Sequence, residues 1–458
     1  MSEHKFVHVV LLPSAGVGHL APFLRLAASL TTHGVQVTVI TPHPTVSLAE
    51  SQTLSHFFTS FPKITQKHLN LLPVDHKQSS NADDPFFHHI QVIRQSSSLL
   101  LPLLSSLSPP ASALVTDMSL VAAVIPITQV LNLPNYVFFT SSAKMLALFL
   151  SYHTIFGSKH TSDLGRSEVI KIPGLEPIPK SWIPPPLLQD KDNLFKISFF
   201  EDGKKMTDSS GILVNTSEGF EQETLRKLKE GEVVEGLPTV LAVGPLPPCN
   251  LGRCVPLAWL EGQPARSVVY VSFGSRMGMS REQIREVGDG LVRSGSRFIW
   301  VVKEKRVDVE DDEDLDQVLG DELMDRVRMK GQVLRWSNQV DILSSPAVGA
   351  FVSHCGWNSV IEAFWYGVPI LAWPQHGDQK INAEIVERIG IGTWEKSWGC
   401  GGELLVNGAK IAERIRYVME NEAFKLQGMR IRDEARKGEG VCGDWNRGLI
   451  ALCDMLKA

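Results

Sequence analysis

The sequence predicts an α/β protein built on parallel sheets, and three observations point to this fold class. Short apolar runs, for example residues 7–12 and 348–352, have the length and composition of buried strands. Each run leads into a glycine-containing turn and then into a segment with helical periodicity, which is the pattern of a β–α–β unit. The pattern starts again in the second half of the 458 residues, a length that suits two domains of about 200 residues each.

The N-terminal segment predicts the start of a first parallel sheet. After the strand at 7–12, residues 20–30 predict an amphipathic helix and residues 36–40 a second strand. Gly16, Gly18 and Ala21 formally match the dinucleotide fingerprint G-x-G-x-x-G/A. That fingerprint also requires an acidic residue near the end of the second strand, whereas the first acid after this strand is Glu50. The missing acid counts against a nicotinamide-dependent oxidoreductase.

Two residues with acid–base chemistry follow strands of this first half. His19 stands at the sheet edge where doubly wound folds bind ligands, and the helix N-terminus beside it disfavours the imidazolium, so a neutral base near pH 7 is reasonable. Asp117 ends the apolar run at 113–116 and projects at the same edge. Each residue has an ordinary alternative role: the histidine as a solvated or capping residue, the aspartate as the N-cap of the next helix.

The middle of the chain is less regular. Residues 136–139 predict a strand, and the hydroxyls of Thr140, Ser141 and Ser142 after it can reach a bound sugar or phosphate or cap the following helix. Residues 172–188 are rich in proline and contain Trp182, which predicts an ordered loop that either walls a pocket or crosses the surface. Residues 237–254 are rich in proline and glycine and predict an interdomain linker.

Residues 336–379 carry the most information, and they predict strand, turn, helix, strand and loop. The helical pattern covers 357–366 and is closed by Gly367 and Pro369. A helix that opens directly after a strand, with Gly356 in the turn, offers backbone N–H groups to an anion. His354, Asn358 and Ser359 add donors for phosphate oxygens, and Glu362, one turn beyond Asn358, can accept hydrogen bonds from a ribose diol. Partners for a base and for sugar hydroxyls complete the set: Trp336, Asp378 and Gln379.

Two further segments of the second half bear on ligands. The strand at 267–272 leads to Ser275 in a turn like the one at His354. Residues 307–316 form an acidic run with D-x-D spacing at Asp312, Asp314 and Asp316, a pattern that can hold a divalent metal ion. Such matches are expected by chance in a run this acidic, so a solvated loop is the better interpretation and we expect no metal requirement.

Residues 336–379 resemble, at full length and without a gap, the plant secondary-product glycosyltransferase box of the family-one UDP-sugar glycosyltransferases. Asn338, where proline is usual, is one departure. The resemblance implies that Trp336 stacks on uracil, that the diphosphate and ribose are held as above, and that Trp357 with the terminal glutamine goes with UDP-glucose. The donor-binding residues expected in this way are Gly18, Thr140, Ser275, Trp336, Ser337, Gln339, His354, Gly356, Trp357, Asn358, Ser359, Glu362, Asp378 and Gln379.

The resemblance also implies the fold and the catalytic pair. It implies a GT-B fold, with two Rossmann-like domains facing across a cleft, and a last helix that packs back on the first domain. We place the acceptor-binding domain at 1–240, the linker at 241–254, the UDP-sugar-binding domain at 255–440 and the last helix at 441–458. The resemblance further implies that His19 is the general base that deprotonates the acceptor and that Asp117 orients this histidine.

Three segments together look like one plant subgroup, the C-glucosyltransferases of flavonoid precursors and related acyl-phloroglucinols. These segments are PSAGVGHLAPFLRLAASL at 13–30, the DPF triplet at 84–86 and IPGLEPIP with IPPP at 172–186. The resemblance runs along essentially the whole chain. Aromatic and methionine side chains are candidates for the acceptor pocket, although such residues are more often core. They are Phe86, Phe87, Met118, Met145, Trp182, Phe199 and Phe200.

Composition sets the remaining expectations. A net charge of −5 gives no basic field for nucleic acid or an anionic membrane, and the six scattered cysteines fit reduced thiols better than disulfides or a zinc site. The apolar run at 7–12 is too short for a signal sequence or a membrane span. We therefore expect a cytoplasmic monomer that binds a UDP-sugar and a small phenol and needs no cofactor.

The reaction implied by the resemblance is inverting transfer from UDP-glucose, with His19 as the base. The product is a C-glucoside if a ring carbon of a phloroglucinol-type acceptor such as phloretin or a 2-hydroxyflavanone attacks, and an O-glucoside if the phenolic oxygen attacks. An O-glucosyltransferase is thus the first alternative. A sugar-nucleotide-binding protein without transfer activity is the second, and the presence of His19, Asp117, Asp378 and Gln379 disfavours it.

Overall fold

The computed structural model describes residues 6–73, 85–157, 167–189, 193–249, 258–274, 276, 278–303, 314–437 and 444–457. The chain divides into two compact units. The first comprises Met1–Leu251 together with Gly438–Ala458, and the second comprises Gly252–Lys437. Of the helices that the structure describes, none has the length and apolar character needed to span a membrane.

The first unit is built on a parallel sheet. Its described strands are β1 (His8–Leu12), β2 (Gln36–His43), β3 (Thr65–Asn70), β4 (Ala113–Asp117), β5 (Asn135–Phe139), β8 (Gly211–Val214) and β9 (Val240–Ala242), in the order β3-β2-β1-β4-β5-β8-β9. A separate antiparallel ribbon joins β6 (Val169–Ile170) to β7 (Ile178–Pro179). In the main sheet, Leu12 of β1 pairs with Thr116 of β4. This register brings the carboxyl ends of β1 and β4 side by side, although they are about a hundred residues apart in sequence.

Helices cover the first sheet because their apolar faces match the apolar strands. The described helices of the first unit are α1 (Val17–Thr32), α2 (Leu48–Ser60), α3 (Pro85–Gln95), α4 (Leu100–Ser105), α5 (Val121–Val130), α6 (Ala143–Gly157), α7 (Pro185–Leu188), α8 (Leu194–Lys205) and α9 (Glu218–Lys229). One core cluster joins α1 and α2 to the sheet through Phe23, Phe57 and Phe138. The segment 172–188, predicted as an ordered loop, is loop at 172–177 and 183–184 and otherwise contains β7, a 3₁₀ helix at Lys180–Trp182 and the short α7.

The linker predicted at 241–254 starts too early. Leu241 and Ala242 lie in β9, which pairs with β8 at the edge of the first sheet, and Val243 and Leu246 are buried in the first core. Local proline and glycine content pointed to a linker, but strand pairing decides the outcome. The later part of the predicted linker lies outside the described residues.

The second unit repeats the architecture with a parallel sheet of its own. Its described strands are β10 (Val268–Ser272), β11 (Arg297–Val301), β12 (Gly331–Leu334), β13 (Val348–Ser353), β14 (Ile370–Ala372) and β15 (Gly392–Trp394), in the order β12-β11-β10-β13-β14-β15. β10 and β13 are neighbours, and Ser272 pairs with Ser353. The turns that follow these two strands therefore meet at one edge of the sheet, where doubly wound folds bind ligands.

The described helices of the second unit are α10 (Ala258–Glu261), α11 (Arg281–Ser294), α12 (Leu315–Leu319), α13 (Asp321–Arg328), α14 (Gln339–Ser344), α15 (Trp357–Tyr366), α16 (Gln379–Ile389), α17 (Gly408–Glu420) and α18 (Glu422–Lys437). α15 ends where the sequence predicts, because Gly367 adopts the left-handed conformation at its C-cap.

The acidic run predicted as a solvated loop is partly helical. Asp314 immediately precedes α12, and Asp316 lies in its first turn and pairs with Arg328 at 2.8 Å. Asp312 lies outside the described residues. Among the residues that the structure describes, no three His, Cys, Asp or Glu side chains form a group that could hold a metal ion.

The last helix, α19 (Asp444–Lys457), belongs to the first unit although it follows the second in sequence. Leu449, Leu452 and Leu456 are buried in the core that contains Phe23 and Phe57. The chain therefore starts and ends in the same unit.

Candidate active site

His19 and Asp117 meet at the carboxyl edge of the first sheet. His19 lies in the first turn of α1 and Asp117 is the last residue of β4. Nδ1 of His19 is 2.9 Å from Oδ2 of Asp117, and the carboxylate is fully buried while 22% of the histidine side chain is exposed. With the Nδ1 proton held by the carboxylate, the opposite ring nitrogen, Nε2, is the atom that can exchange a proton with a ligand.

Ser119 fixes the other oxygen of the aspartate. Its backbone N–H and its hydroxyl donate to Oδ1 of Asp117 at 2.9 and 2.7 Å. Burial by itself raises the pKa of Asp117, but the nearby His19 and the hydrogen bonds from His19 and Ser119 outweigh burial and hold it below its usual value. The aspartate is not the N-cap of α5, which begins four residues later with Leu120 at the cap. Its partner is the histidine.

Thr140 lies beside this pair. Its Oγ1 is 3.5 Å from Nδ1 of His19 and 3.9 Å from the sulfur of Met118. Of the two hydroxyls after it, Ser142 accepts a hydrogen bond from the backbone N–H of Met145 and thereby caps α6. Thr140 thus faces His19, and Ser142 has the capping role that was one of the two alternatives in the sequence.

The glycine turn before α1 is tied to a carboxylate of the protein. The backbone N–H of Gly16 donates to the buried side chain of Glu50, and the other oxygen of Glu50 accepts from Val46 at 3.0 Å. In a dinucleotide-binding fold, the turn at this place approaches a pyrophosphate closely. A negative carboxylate in its place works against dinucleotide binding.

A row of aromatic rings extends from His19. The ring of Phe86 is 5.7 Å from that of His19, and Phe86, Phe87, Phe195 and Phe199 follow one another at centroid distances of 5.3, 5.2 and 5.5 Å. We call these four phenylalanines the aromatic row. Phe86 also covers Gly16, where an added Cβ would lie 2.6 Å from the ring. Phe195 was missed in the sequence because nothing local distinguishes it.

The predicted acceptor residues differ in their surroundings. Phe199 also packs on Phe149 and is buried, and Met145 is buried as well. The ring of Phe200 lies 6.3 Å from that of His153, and Trp182 lies under the ammonium group of Lys144 at 5.9 Å. Of the predicted set, Phe86 contacts His19, Met118 contacts Thr140 beside it, and Phe87 and Phe199 are connected to His19 through the aromatic row.

In the second unit, His354 is enclosed by two glycines. Its Nε2 lies where a Cβ at either Gly274 or Gly356 would come within 2.6 Å. Burial lowers the pKa of His354 to about 4, against a smaller opposing effect of a hydrogen bond with the backbone of Ser272. The imidazole is therefore neutral at physiological pH. It can donate a hydrogen bond beside the N-terminus of α15, which favours anions.

Gln339 links several of the predicted donor residues. Its amide donates to Oγ of Ser359 at 2.9 Å and to Oε2 of Glu362 at 2.6 Å. Behind it, the buried hydroxyl of Tyr270 lies 3.3 Å from Oγ of Ser337 and 3.5 Å from Oε1 of Gln339. Burial raises the pKa of Tyr270 to about 12, so its proton stays in place. The residues expected to contact the nucleobase, the phosphates and the ribose of the donor thus share one hydrogen-bond network.

The remaining donor candidates differ in exposure. Trp336 is 61% exposed, so a face of its ring is open for stacking, whereas Trp357 is buried in the first turn of α15. Asp378 accepts from the amide of Asn382 at 2.9 Å. Oε1 of Gln379 accepts from the backbone of Gln375 and His376 and so shapes this loop. Ser275, and Asp84 of the DPF triplet, lie outside the described residues.

The fold is that of known glycosyltransferases. The structure matches the crystal structure of LpCGTa in complex with UDP, with a TM-score of 0.86, 41% identity and coverage of 99% of this chain and 100% of the other. It also matches Medicago truncatula UGT71G1 complexed with UDP-glucose, with a TM-score of 0.85, 27% identity and 99% coverage of both chains. With its two Rossmann-like units, the protein has the GT-B fold of plant glycosyltransferases.

Sequence relatives give the family. The family model for UDP-glucoronosyl and UDP-glucosyl transferases matches residues 254–432. UDP-glycosyltransferase 708G2 of Citrus unshiu is 51% identical over 98% of this chain and 96% of its own length. UDP-glycosyltransferase CGT of Oryza sativa subsp. japonica is 43% identical over 97% and 94%. The chain belongs to the plant family-one UDP-glycosyltransferases and is close to the C-glucosyltransferases among them.

Proposed function

We propose that this enzyme transfers glucose from UDP-glucose to a ring carbon of a phloroglucinol-type phenol with inversion at the anomeric carbon. The main observation that supports the catalytic role of His19 is its hydrogen bond to the buried Asp117. The C-linkage is supported by the likeness to relatives named CGT, and the aromatic row next to the histidine suits an aromatic acceptor.

In this mechanism Nε2 of His19 takes the proton of a phenolic hydroxyl, and Asp117 stabilises the imidazolium that forms. The phenolate moves charge onto the ring carbon ortho to it, and that carbon attacks the anomeric carbon of the donor. The bond from the anomeric carbon to the diphosphate oxygen breaks, and UDP leaves with the electron pair. The attacked carbon then releases its proton to water, which restores the aromatic ring as a phenolate, and the imidazolium returns its proton to the phenolate oxygen. Because the pKa of Asp117 is lowered, its carboxylate stays charged while the imidazole of His19 is protonated.

For the donor we propose the predicted set in the second unit. Ser359 and His354, with the N-terminus of α15, bind the diphosphate, Glu362 binds the ribose and Trp336 stacks on the base. Gln339 holds Ser359 and Glu362 in their relative positions. In this proposal the helix dipole and the hydrogen bonds stabilise the charge of the diphosphate without a metal ion. Turnover is therefore expected to continue in the presence of EDTA. Loss of turnover in EDTA that magnesium restores would contradict this part.

The test is incubation with UDP-glucose and phloretin, followed by treatment of the product with hot acid. A C-glucoside survives because a carbon–carbon bond is not hydrolysed, whereas an O-glucoside returns phloretin. Acid-stable product supports the proposal, and acid-labile product makes the enzyme an O-glucosyltransferase. His19→Ala is the matched variant: we expect loss of turnover with an unchanged UDP dissociation constant. Full turnover of this variant would remove the histidine from the mechanism.

A further inference from the structure

A buried ion pair lies close to the catalytic pair of the first unit. Arg94 of α3 donates through Nη1 to Oδ2 of Asp202 in α8 at 2.7 Å and through Nη2 to the exposed Glu201 at 2.7 Å. Asp202 is fully buried and 10% of the Arg94 side chain is exposed. A charged pair at this depth loses its hydration, so it is weak evidence for stability by itself. Its other contacts indicate a more specific role.

The pair is bonded at two points, to the turn between β4 and α5 and to the first turn of α5. Nη1 of Arg94 also donates to the carbonyl of Ser119 at 3.0 Å, and Oδ1 of Asp202 accepts from the backbone N–H of Ala122 at 2.8 Å. Ser119 is the residue whose N–H and hydroxyl hold Oδ1 of Asp117. The ion pair therefore fixes the backbone of the residue that orients the aspartate, which in turn holds His19.

The same pair fixes the two helices that carry the aromatic row. Phe87 and Arg94 are seven residues apart on α3, and Phe195 and Asp202 are seven residues apart on α8. Seven residues are two helical turns, so each aromatic ring and its charged partner share one face of the helix. The two faces meet twice, through the ring contact of Phe87 with Phe195 at 5.2 Å and through the ion pair.

We propose that Arg94 and Asp202 form a positioning pair that sets both the orientation of Asp117 and the placement of the aromatic row beside His19. This inference rests on the proposed function, in which His19 is the base. Neither residue touches the reacting atoms in this proposal. A misplacement of a fraction of an ångström in the base or in the acceptor lowers the rate, while the donor residues in the other unit keep their contacts.

The experiment separates positioning from stability. Asp202→Asn, Arg94→Lys and the apolar double variant Arg94→Met with Asp202→Leu are compared for kcat, for KM of UDP-glucose and of phloretin, and for Tm. Rates are divided by the folded fraction. We expect kcat to fall roughly 10- to 100-fold in all three, with KM of UDP-glucose unchanged and KM of phloretin raised. The double variant should regain much of the wild-type Tm, because an apolar pair avoids the desolvation of two charges, but it should not regain kcat.

Two controls are matched to these variants. Glu201→Gln removes the exposed partner of the same guanidinium and should leave kcat unchanged. Leu54→Ala, at a buried residue of α2, should lower Tm without touching the network and should leave kcat per folded molecule unchanged. If the double variant regains kcat together with Tm, or if kcat falls only in proportion to the folded fraction, the pair is structural and the inference is wrong.

His19→Ala distinguishes failure of this inference from failure of the proposed function. An active His19→Ala enzyme would overturn the proposed function and the inference with it. An inactive His19→Ala enzyme alongside a fully active double variant would overturn the positioning pair alone.

Discussion

At the scale of residues, the proposed chemistry depends on which atom of each side chain is already bonded. Both carboxylate oxygens of Asp117 accept hydrogen bonds, Oδ1 from Ser119 and Oδ2 from His19. The histidine therefore keeps its proton on Nδ1, toward the carboxylate. In the second unit the amide of Gln339 is assigned to Ser359 and Glu362. Such assignments fix tautomers and rotamers before a ligand binds, and preorganised donors cost no rearrangement during the reaction.

Asp117→Asn tests this assignment. The two donors from Ser119 require an acceptor at their position, so the new amide oxygen should face Ser119 and the new NH₂ group should face Nδ1 of His19. That arrangement places the histidine proton on Nε2, where it cannot take a proton from the acceptor. We expect kcat to fall by at least about 100-fold with unchanged affinity for UDP. Measured turnover near wild type would contradict it, and Asp208→Asn, at an exposed ion pair with Lys205, is the control.

A second residue-scale prediction concerns pH. Burial, with Arg276 and His354 nearby, lowers the pKa of His376 to about 3, and burial lowers that of His354 to about 4, both from 6.5. Between these values and 6.5 the unfolded chain binds more protons than the folded chain. The free energy of unfolding therefore does not depend on these two histidines above about pH 6.5. Below that pH it decreases, by up to about 1.4 kcal/mol per pH unit for each histidine.

Urea unfolding of the ligand-free protein at pH 7, 6 and 5 measures this dependence. The double variant His354→Gln with His376→Gln should show a flatter pH dependence than wild type across this range. His56→Gln, at an exposed histidine of α2, should not change it. Parallel curves for wild type and the double variant would mean that other groups control acid stability.

At the scale of elements, strand-to-helix turns build the sites in both units. In the second unit the turn after β13 must let His354 pack against backbone, and Gly274 and Gly356 leave the room for it. Gly356 is the N-cap of α15 with a φ of −56°, a value that any residue adopts. Its lack of a side chain is therefore required by the histidine and not by the backbone conformation.

Gly356→Ala should consequently act on ligand binding. The added Cβ would lie 2.6 Å from Nε2 of His354 and must push the imidazole out of its place. We expect the dissociation constant for UDP to rise roughly tenfold, equivalent to about 1.4 kcal/mol, as measured by isothermal titration calorimetry. Gly262→Ala meets only ordinary contacts and should bind UDP like wild type. Equal affinities of the two variants would argue against His354 as a phosphate donor.

At the scale of the whole molecule, the chain returns to its first unit at the end. α19 contributes Leu449, Leu452 and Leu456 to the core that also holds residues of α1 and α2. The UDP-binding residues that we propose lie in the second unit. Stability of the first unit and affinity for UDP should therefore respond to different substitutions.

Leu452→Ala tests this separation. Removal of a fully buried leucine should lower the unfolding free energy of the first unit by about 2–5 kcal/mol, because the cavity does not collapse completely. Met455→Ala, on the same helix but 38% exposed, should change it by less than about 1 kcal/mol. Both variants should bind UDP with wild-type affinity at a temperature where they are folded. A loss of affinity with Leu452→Ala alone would show that the last helix also influences the donor site.

The sequence by itself determined the local features. The fold class, the helix at 357–366 and the donor motif follow from signals within a few residues, such as the glycine and proline after the helix and the spacing of Asn358 and Glu362. Family membership was equally readable, because an uninterrupted motif is a local pattern. Relatives and structural neighbours confirm the fold class and the family membership.

Only the tertiary structure decided which distant residues meet. Asp117 could have capped a helix, and it reaches His19 because β4 lies next to β1. Arg94 and Asp202 are 108 residues apart and carry no local signal, and β9 looked like a linker until its pairing with β8 was seen. The physical reason is that helix ends depend on neighbouring residues, whereas strand order and buried ion pairs depend on how the whole chain packs.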